Sequence, residues 1–276
     1  MKAATDVKLK DFVTQNIRDE QSPESISGRI KEVETDIKYA SPKAIYKFVH
    51  SVHGRQIERC LYSKAVKKKS GPKRKKSATI DGRQMIDQRP KEAEKREEFG
   101  HFEGDFIESG HDGHGSLLVL VERKSRYPFL AYTESKKTEE VNKLVAETLK
   151  DVPVKSVTID NDLSFQKHEE LSRMIKADVF FCHPYHSWEK GTVENRNKAI
   201  RRYIPKRTDL SGYSQDYFKM VEEKLRTRFM KCLNYRTSRE VFERETEKFK
   251  NKKTPLCGII GRTLQTNESV RLQGSG

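Results

Sequence analysis

The sequence is poor in cysteine, has one tryptophan and contains no long apolar run. Its four cysteines among 276 residues, Cys60, Cys182, Cys232 and Cys257, stand far apart. That spacing excludes a disulfide scaffold and any CxxC zinc pair, and it suits a reducing, cytoplasmic setting. The longest apolar stretches, such as Leu117 to Val121, are far too short to span a bilayer. No N-terminal stretch has the apolar core of a signal peptide. Acid is in deficit as well: 41 Asp and Glu face 56 Lys and Arg, a formal net charge of +15. Hydrophobic residues make up only 34%, but they fall in periodic blocks, so the chain is not simply disordered.

The positive charge is clustered. The run from Lys64 through Lys67, Lys68, Lys69, Lys73, Arg74, Lys75 and Lys76 contains no acid. Such a run neutralises phosphates and gives salt-dependent, sequence-blind affinity for nucleic acid. A second basic stretch runs from Arg196 to Arg207. The basic runs lack a strongly apolar helical face, which argues against a membrane surface as their partner.

Three short helices are expected in the first sixty residues. Leu9, Phe12, Val13 and Ile17 form one apolar stripe. Ser22-Pro23-Glu24 supplies an N-cap, a first-turn proline and a first-turn acid, and Ser41-Pro42 repeats the start signal. This spacing suits a helix-turn-helix module, residues 1–62, with the helix from Pro42 entering a major groove and Lys43 and Lys47 near DNA. A plain three-helix bundle is the alternative. Residues 63–98 read as a basic linker, 99–245 as a second domain and 246–276 as a tail. In the second domain, strands are expected at 102–107, 117–121, 127–132, 154–160 and 179–182. Helices are expected at 138–149, where Thr138 caps, and at 165–176, 189–204 and 217–233. Three strands followed by strand–helix alternation predict a mixed five-stranded α/β sheet with flanking helices. The first and fourth strands should be neighbours, with their carboxyl-end residues in one crevice.

Three acids mark that crevice. Asp105 lies within the first strand, Asp160 ends the fourth, and Glu194 lies early in the basic helix. Acids on neighbouring strands and on a packed helix suit divalent metal, with Mg²⁺ leaving positions open for phosphate and water. Two such ions support in-line phosphoryl displacement. Glu103, Glu122 and Glu189 are nearby acids of ordinary surface type. His111, His114 and the Cys182-His183-x-x-His186 cluster hint at metal, but no second ligand motif accompanies them, so they read as loop or rim residues. His168 is a candidate to approach the metal site from its helix.

At these residues the sequence resembles the IS-thirty family of bacterial insertion-sequence transposases, which use an Asp/Asp/Glu trio. The matching blocks are Gly100-His-Phe-Glu-Gly-Asp105-Phe-Ile, Leu120-Val-Glu-Arg-Lys-Ser-Arg126-Tyr, Thr158-Ile-Asp160-Asn161 and Phe181-Cys-His-Pro-Tyr185-His-Ser-Trp188-Glu-Lys-Gly191-Thr-Val-Glu194-Asn195. The resemblance runs from about Gln21 to Phe242 and implies a ribonuclease-H-like core. It implies Asp105, Asp160 and Glu194 as catalytic metal ligands for Mg²⁺, with Mn²⁺ as substitute. The implied activity is cleavage at transposon ends followed by strand transfer into target DNA, commonly through a circular intermediate. A repurposed DNA-binding regulator and a nuclease that does not join are the alternatives. Arg123, Lys124, Arg126, Tyr185, Trp188, Lys190, Asn195, Lys198 and Arg201 are the expected DNA contacts, with Trp188 either stacking on a base or packing against the helix start. Joining two DNA ends implies at least a homodimer on double-stranded DNA. Asp162 stands where the family has glycine and adds an acid beside the trio.

Overall fold

A computed structural model of the chain describes residues 6–61, 80–110, 113–184 and 186–253. The first three helices form where the start signals place them: α1 (Val7–Arg18), α2 (Pro23–Glu32) and α3 (Pro42–Val49). The Asp6, Ser22 and Ser41 side chains each accept a backbone N–H of the following first turn, satisfying donors that have no intrahelical partner. Leu9, Val13 and Ile17 from α1 meet Ile26 and Ile30 from α2 and Ile45, Phe48 and Val49 from α3 in one separate core. Each such side chain contributes about 1.5–3 kcal/mol by leaving water.

The remaining elements build a sheet with helices on both faces. In chain order they are β1 (Gln84–Met85), α4 (Lys91–Lys95), β2 (His101–Glu108), β3 (Ser116–Glu122), β4 (Pro128–Thr133), α5 (Thr138–Thr148), β5 (Ser156–Ile159), α6 (His168–Ile175), β6 (Asp178–Phe181), α7 (Gly191–Ile200), α8 (Gln215–Arg226) and α9 (Ser238–Lys253). The sheet order is β1-β6-β5-β2-β3-β4. Strands β2, β3 and β4 are antiparallel neighbours, while β5, β6 and β1 run parallel to β2. Strands β2 and β5, the first and fourth of the expected five, are adjacent. The mixed, ribonuclease-H-like sheet is therefore the one the sequence predicts, with an added strand at its edge.

Alternation along β2 and β3 sorts side chains to the two faces. Phe102, Leu118 and Leu120 join Val141 and Val145 of α5 and Leu171 of α6 on one face. Ile107, Leu117, Val119 and Val121 join Val193 and Ile200 of α7 and Val221 and Leu225 of α8 on the other.

Four expectations need correction. The sheet has six strands, because Gln84 and Met85, inside the expected linker, pair with Phe180 and Phe181. Thr138 is the first residue of α5 and Lys137 the cap, without a side-chain bond. The expected helix 217–233 stops at Arg226. Phe229 leaves that helix, pairs with Thr237 across a β-bridge and lies under the Arg29 guanidinium, 4.9 Å from ring centre to Cζ. Helix α9 then crosses the boundary drawn at 245, held by Phe242 stacked on Tyr127 at 4.1 Å.

The N-terminal core is docked on this C-terminal hairpin. Arg29 of α2 forms a two-pronged ion pair with Glu240 of α9 at 2.7 and 2.8 Å. The Gln21 side chain donates to the Thr227 carbonyl and accepts from the Phe229 N–H. Gly28, inside α2, permits the closest approach: a Cβ there would lie 2.1 Å from Cε1 of Tyr235. Among the described residues no helix is long and apolar enough to cross a membrane.

Candidate active site

The alternation that sends Ile107 towards α7 sends Glu103 and Asp105 to the same face. Glu103 is wholly buried and accepts the Thr192 and Val193 N–H groups, both at 2.9 Å. These are first-turn donors of α7, so the carboxylate caps that helix from the sheet. The buried Arg123 guanidinium pairs with the same carboxylate. Burial weakens the positive charge of Arg123, pulling its pKa down to about 10 although Glu103 opposes the shift.

Two residues along β2, Asp105 meets the middle of α7. Asn197 donates through Nδ2 to Asp105 Oδ2 at 2.7 Å. Strand β5 supplies the second acid. Thr158 is paired with Glu103, and continuing that register by two residues carries Asp160 alongside Asp105. The Lys190 ammonium lies between them, 3.0 Å from Asp105 Oδ1 and 3.3 Å from Asp160 Oδ2. Only 4% of Lys190 is exposed. Burial works against its charge, but Asp105 and Asp160 outweigh it and hold the pKa above the usual lysine value. Glu194 lies on α7 one turn before Asn197, a spacing that puts the two on one helix face.

Two adjoining clefts open here. One, of about 250 Å³, is lined by Asp105, Asp160, Asp162, Glu108, Phe106, Phe165 and Arg201. The other, of about 850 Å³, shares Phe106 and Arg201 and adds Glu194, Asn197 and the basic side chains Lys198, Arg202 and Lys206. Asp105 and Asp160 thus share the smaller cleft, while Glu194 faces the adjoining groove among the cations. Asp162 is neutralised rather than added to the acids: Lys136 bonds it at 2.5 Å, and its other oxygen caps the turn Leu163–Phe165 through the Ser164 N–H. Asn161 ties the ends of β5 and β6 together by donating to the Cys182 carbonyl. The Cys182 thiol is buried, which pushes its pKa up to about 12.

Several expected DNA contacts have other positions. Arg123 is buried on Glu103, so it does not face a phosphate. Lys124 pairs with Glu245 of α9 at 2.6 Å, and Arg126 donates to Thr192 Oγ1 at 2.9 Å. Lys190 faces the carboxylates rather than the groove. Lys43, Lys47, Asn195 and Lys198 are exposed, and Arg201 donates to the Pro205 carbonyl at the groove wall. Lys67, Lys68, Lys69, Lys73, Arg74, Lys75, Lys76 and Tyr185, with the Trp188 side chain, lie outside the described residues. His168 does not approach the acids; it packs edge-on against Phe181 and bonds the Gly82 carbonyl beside β1. Asn197 was not foreseen, and its one signal in the sequence is its place three residues after Glu194.

The sheet order and the acid-lined cleft at the β2–β5 junction suit one class of protein, the DNA transposases. The comparisons place the chain within it. The transposase for insertion sequence element IS4351 of Bacteroides fragilis is 34% identical over 227 residues, 80% of this chain and 69% of that protein. The transposase for IS1086 of Cupriavidus metallidurans is 31% identical over 257 residues, 87% of this chain and 74% of its own. Transposase InsI for IS30A of Escherichia coli (strain K12) is 30% identical over 249 residues, 86% of this chain and 64% of its own. No family model matches. Among solved structures, the catalytic core domain of BIV integrase aligns with 56% of this chain and 98% of its own, at a TM-score of 0.44 and 15% identity. The chain belongs to the family of insertion-sequence transposases that includes those of IS4351 and IS30.

Proposed function

We propose that this chain cuts DNA at the ends of an insertion sequence and joins them to target DNA, with Asp105, Asp160 and Glu194 as its catalytic carboxylates. The observation that carries the reading is the Lys190 ammonium seated between Asp105 and Asp160. Two carboxylates brought this close need a positive charge, and the tethered ammonium stands in for one. The donor set is all oxygen, which suits a hard divalent ion, Mg²⁺ or Mn²⁺. Held by Asp105, Asp160 and Glu194, a pair of such ions would supply Lewis acidity at the phosphate and a nucleophile active at neutral pH.

The chain's own residues supply the rest. In cleavage, water forms the new P–O bond and the bond to the 3′ oxygen breaks, leaving a 3′-hydroxyl on the element. In joining, that hydroxyl attacks a target phosphodiester and a target 3′-hydroxyl leaves. Asn197 fixes the Asp105 carboxylate through Oδ2. Glu103 anchors the first turn of α7 and thereby sets the depth of Glu194. Lys198, Arg201, Arg202 and Lys206 offer the adjoining groove to the backbone phosphates of duplex DNA. The exposed Lys43 and Lys47 of α3, four residues apart on one face, offer a second contact in helix-turn-helix fashion. Two ends joined in one reaction call for two copies of the chain on DNA.

The test is nicking and joining of supercoiled plasmid carrying candidate ends, in Mg²⁺ or Mn²⁺, with Glu194→Gln beside the wild type. Loss of both products in a folded variant supports the carboxylate trio. Nicks without joints would make the chain a nuclease. Salt-sensitive DNA binding with no product in either protein, cognate ends included, would make it a regulator.

A further inference from the structure

The loop between β6 and α7 gathers a second set of metal-type donors, next to Lys190 in the chain and sharing no residue with the lining of the two clefts. Backbone bonds run from the His186 N–H to the His183 carbonyl and from the Glu189 N–H to the His186 carbonyl. Two successive turns with three-residue spacing stack the side chains at i, i+3 and i+6 on one side. The result is that His183 Nδ1 lies 2.9 Å and His186 Nδ1 3.2 Å from the same oxygen, Glu189 Oε1. All three ligand atoms lie within 4.8 Å of one another, the one such trio among the described residues.

We infer that His183, His186 and Glu189 form a transition-metal site of the zinc class, separate from the Asp105–Asp160 cleft. Bond lengths of about 2.0–2.1 Å in a tetrahedron put ligand atoms about 3.3 Å apart, close to the spacing already present. Outer partners orient the donors. Asp87, in the turn after β1, bonds His183 Nε2 at 3.0 Å, leaving Nδ1 turned to the centre. The other Glu189 oxygen accepts the His183 N–H at 2.8 Å, which turns Oε1 inward. Two imidazoles select a borderline ion over Mg²⁺. Side-chain exposures of 29% for His183 and 43% for His186 leave access for the ion and a position for water. Such an ion would pin the segment after β1 to the turn that ends at Lys190, and so hold the cleft's ammonium and the start of α7 in place.

Zinc titration of the full chain in excess Mg²⁺, with Co²⁺ absorption as the spectroscopic probe, tests the site. One equivalent of zinc is expected to bind despite Mg²⁺, and cobalt to show intense four-coordinate bands. His183→Ala and His186→Ala should each weaken zinc binding by at least about 100-fold, and Asp87→Asn by about 10- to 100-fold. Glu194→Gln should leave zinc affinity unchanged, so failure here is independent of the carboxylate trio. Circular dichroism in chelator checks folding. If His183→Ala is unfolded, the more exposed His186→Ala carries the comparison. Equal zinc uptake by His186→Ala and wild type, or uptake abolished by Glu194→Gln or by Mg²⁺, overturns the inference.

Discussion

The Lys190 ammonium stands 3.0 Å from Asp105 Oδ1, nearly sealed from solvent, and reaches Asp160 from the same position. Removing it leaves two carboxylates facing each other. Lys190→Gln is expected to lower metal-free stability by about 1–3 kcal/mol, between the values for exposed and buried pairs. Added Mg²⁺ should restore more of that loss than it adds to the wild type. Thermal denaturation in chelator and in Mg²⁺ checks both statements. A variant that melts like the wild type in chelator would show that the ammonium does not balance the acids.

Glu103 and Arg123 form a buried pair whose carboxylate also caps α7. Removing either partner strands a charge in the interior. Glu103→Ala and Arg123→Ala should each cost about 3–5 kcal/mol in urea denaturation. An effect below about 1 kcal/mol for both would contradict the buried pair.

Lys43 and Lys47 are exposed, and Arg123 is not. If both lysines touch phosphate, the double variant Lys43→Ala/Lys47→Ala should reduce the slope of log affinity against log salt by about 2. DNA-binding measurements over a salt series give the slope directly. An unchanged slope would remove α3 from the DNA interface and leave a plain helical bundle.

The docking of α2 on α9 is expected to depend on pH. Burial alone would raise the Glu240 pKa, but bonds from Arg29 and from the Thr237 N–H outweigh it and hold the carboxyl below its usual range. A depressed carboxylate stabilises the fold fully above its unfolded pKa of about 4.3, and the contribution disappears as pH falls through the lower folded value. Wild type should therefore lose about 1 kcal/mol between about pH 5 and about pH 3 that Glu240→Gln lacks at the outset. Parallel stability–pH curves for the two proteins would rule out this linkage.

Much of the fold was legible because it rests on local rules. Ser22-Pro23 and Ser41-Pro42 carry their own start signals, and α2 and α3 begin there. Alternation in β2 and β3 fixed which side chains share a face, and Asp105 follows from it. The candidate trio Asp105, Asp160 and Glu194 came from the spacing of strands and helix together with the long matching blocks. Other elements had no such signal. Strand β1 is two residues long, too short for any period, and exists because β6 offers it an edge. Helix α9 is mostly charged, so its part beyond residue 245 reads as tail, although Phe242 anchors the helix through Tyr127 and Phe99.

The sequence alone thus determined the order of the central strands and helices, the basic character of the chain and the candidacy of three acids, since each depends on near neighbours or on composition. Tertiary structure decided which cations are available to a ligand. Lys190 and Arg123 look like any surface charge in sequence. Whether a cation is buried depends on partners far along the chain, Asp105 for Lys190 and Glu103 for Arg123. The same holds for Asp87, which reaches His183 only because β1 joins the sheet. Burying a charge is tolerated only where an opposite charge already stands, and folding brings those pairs together.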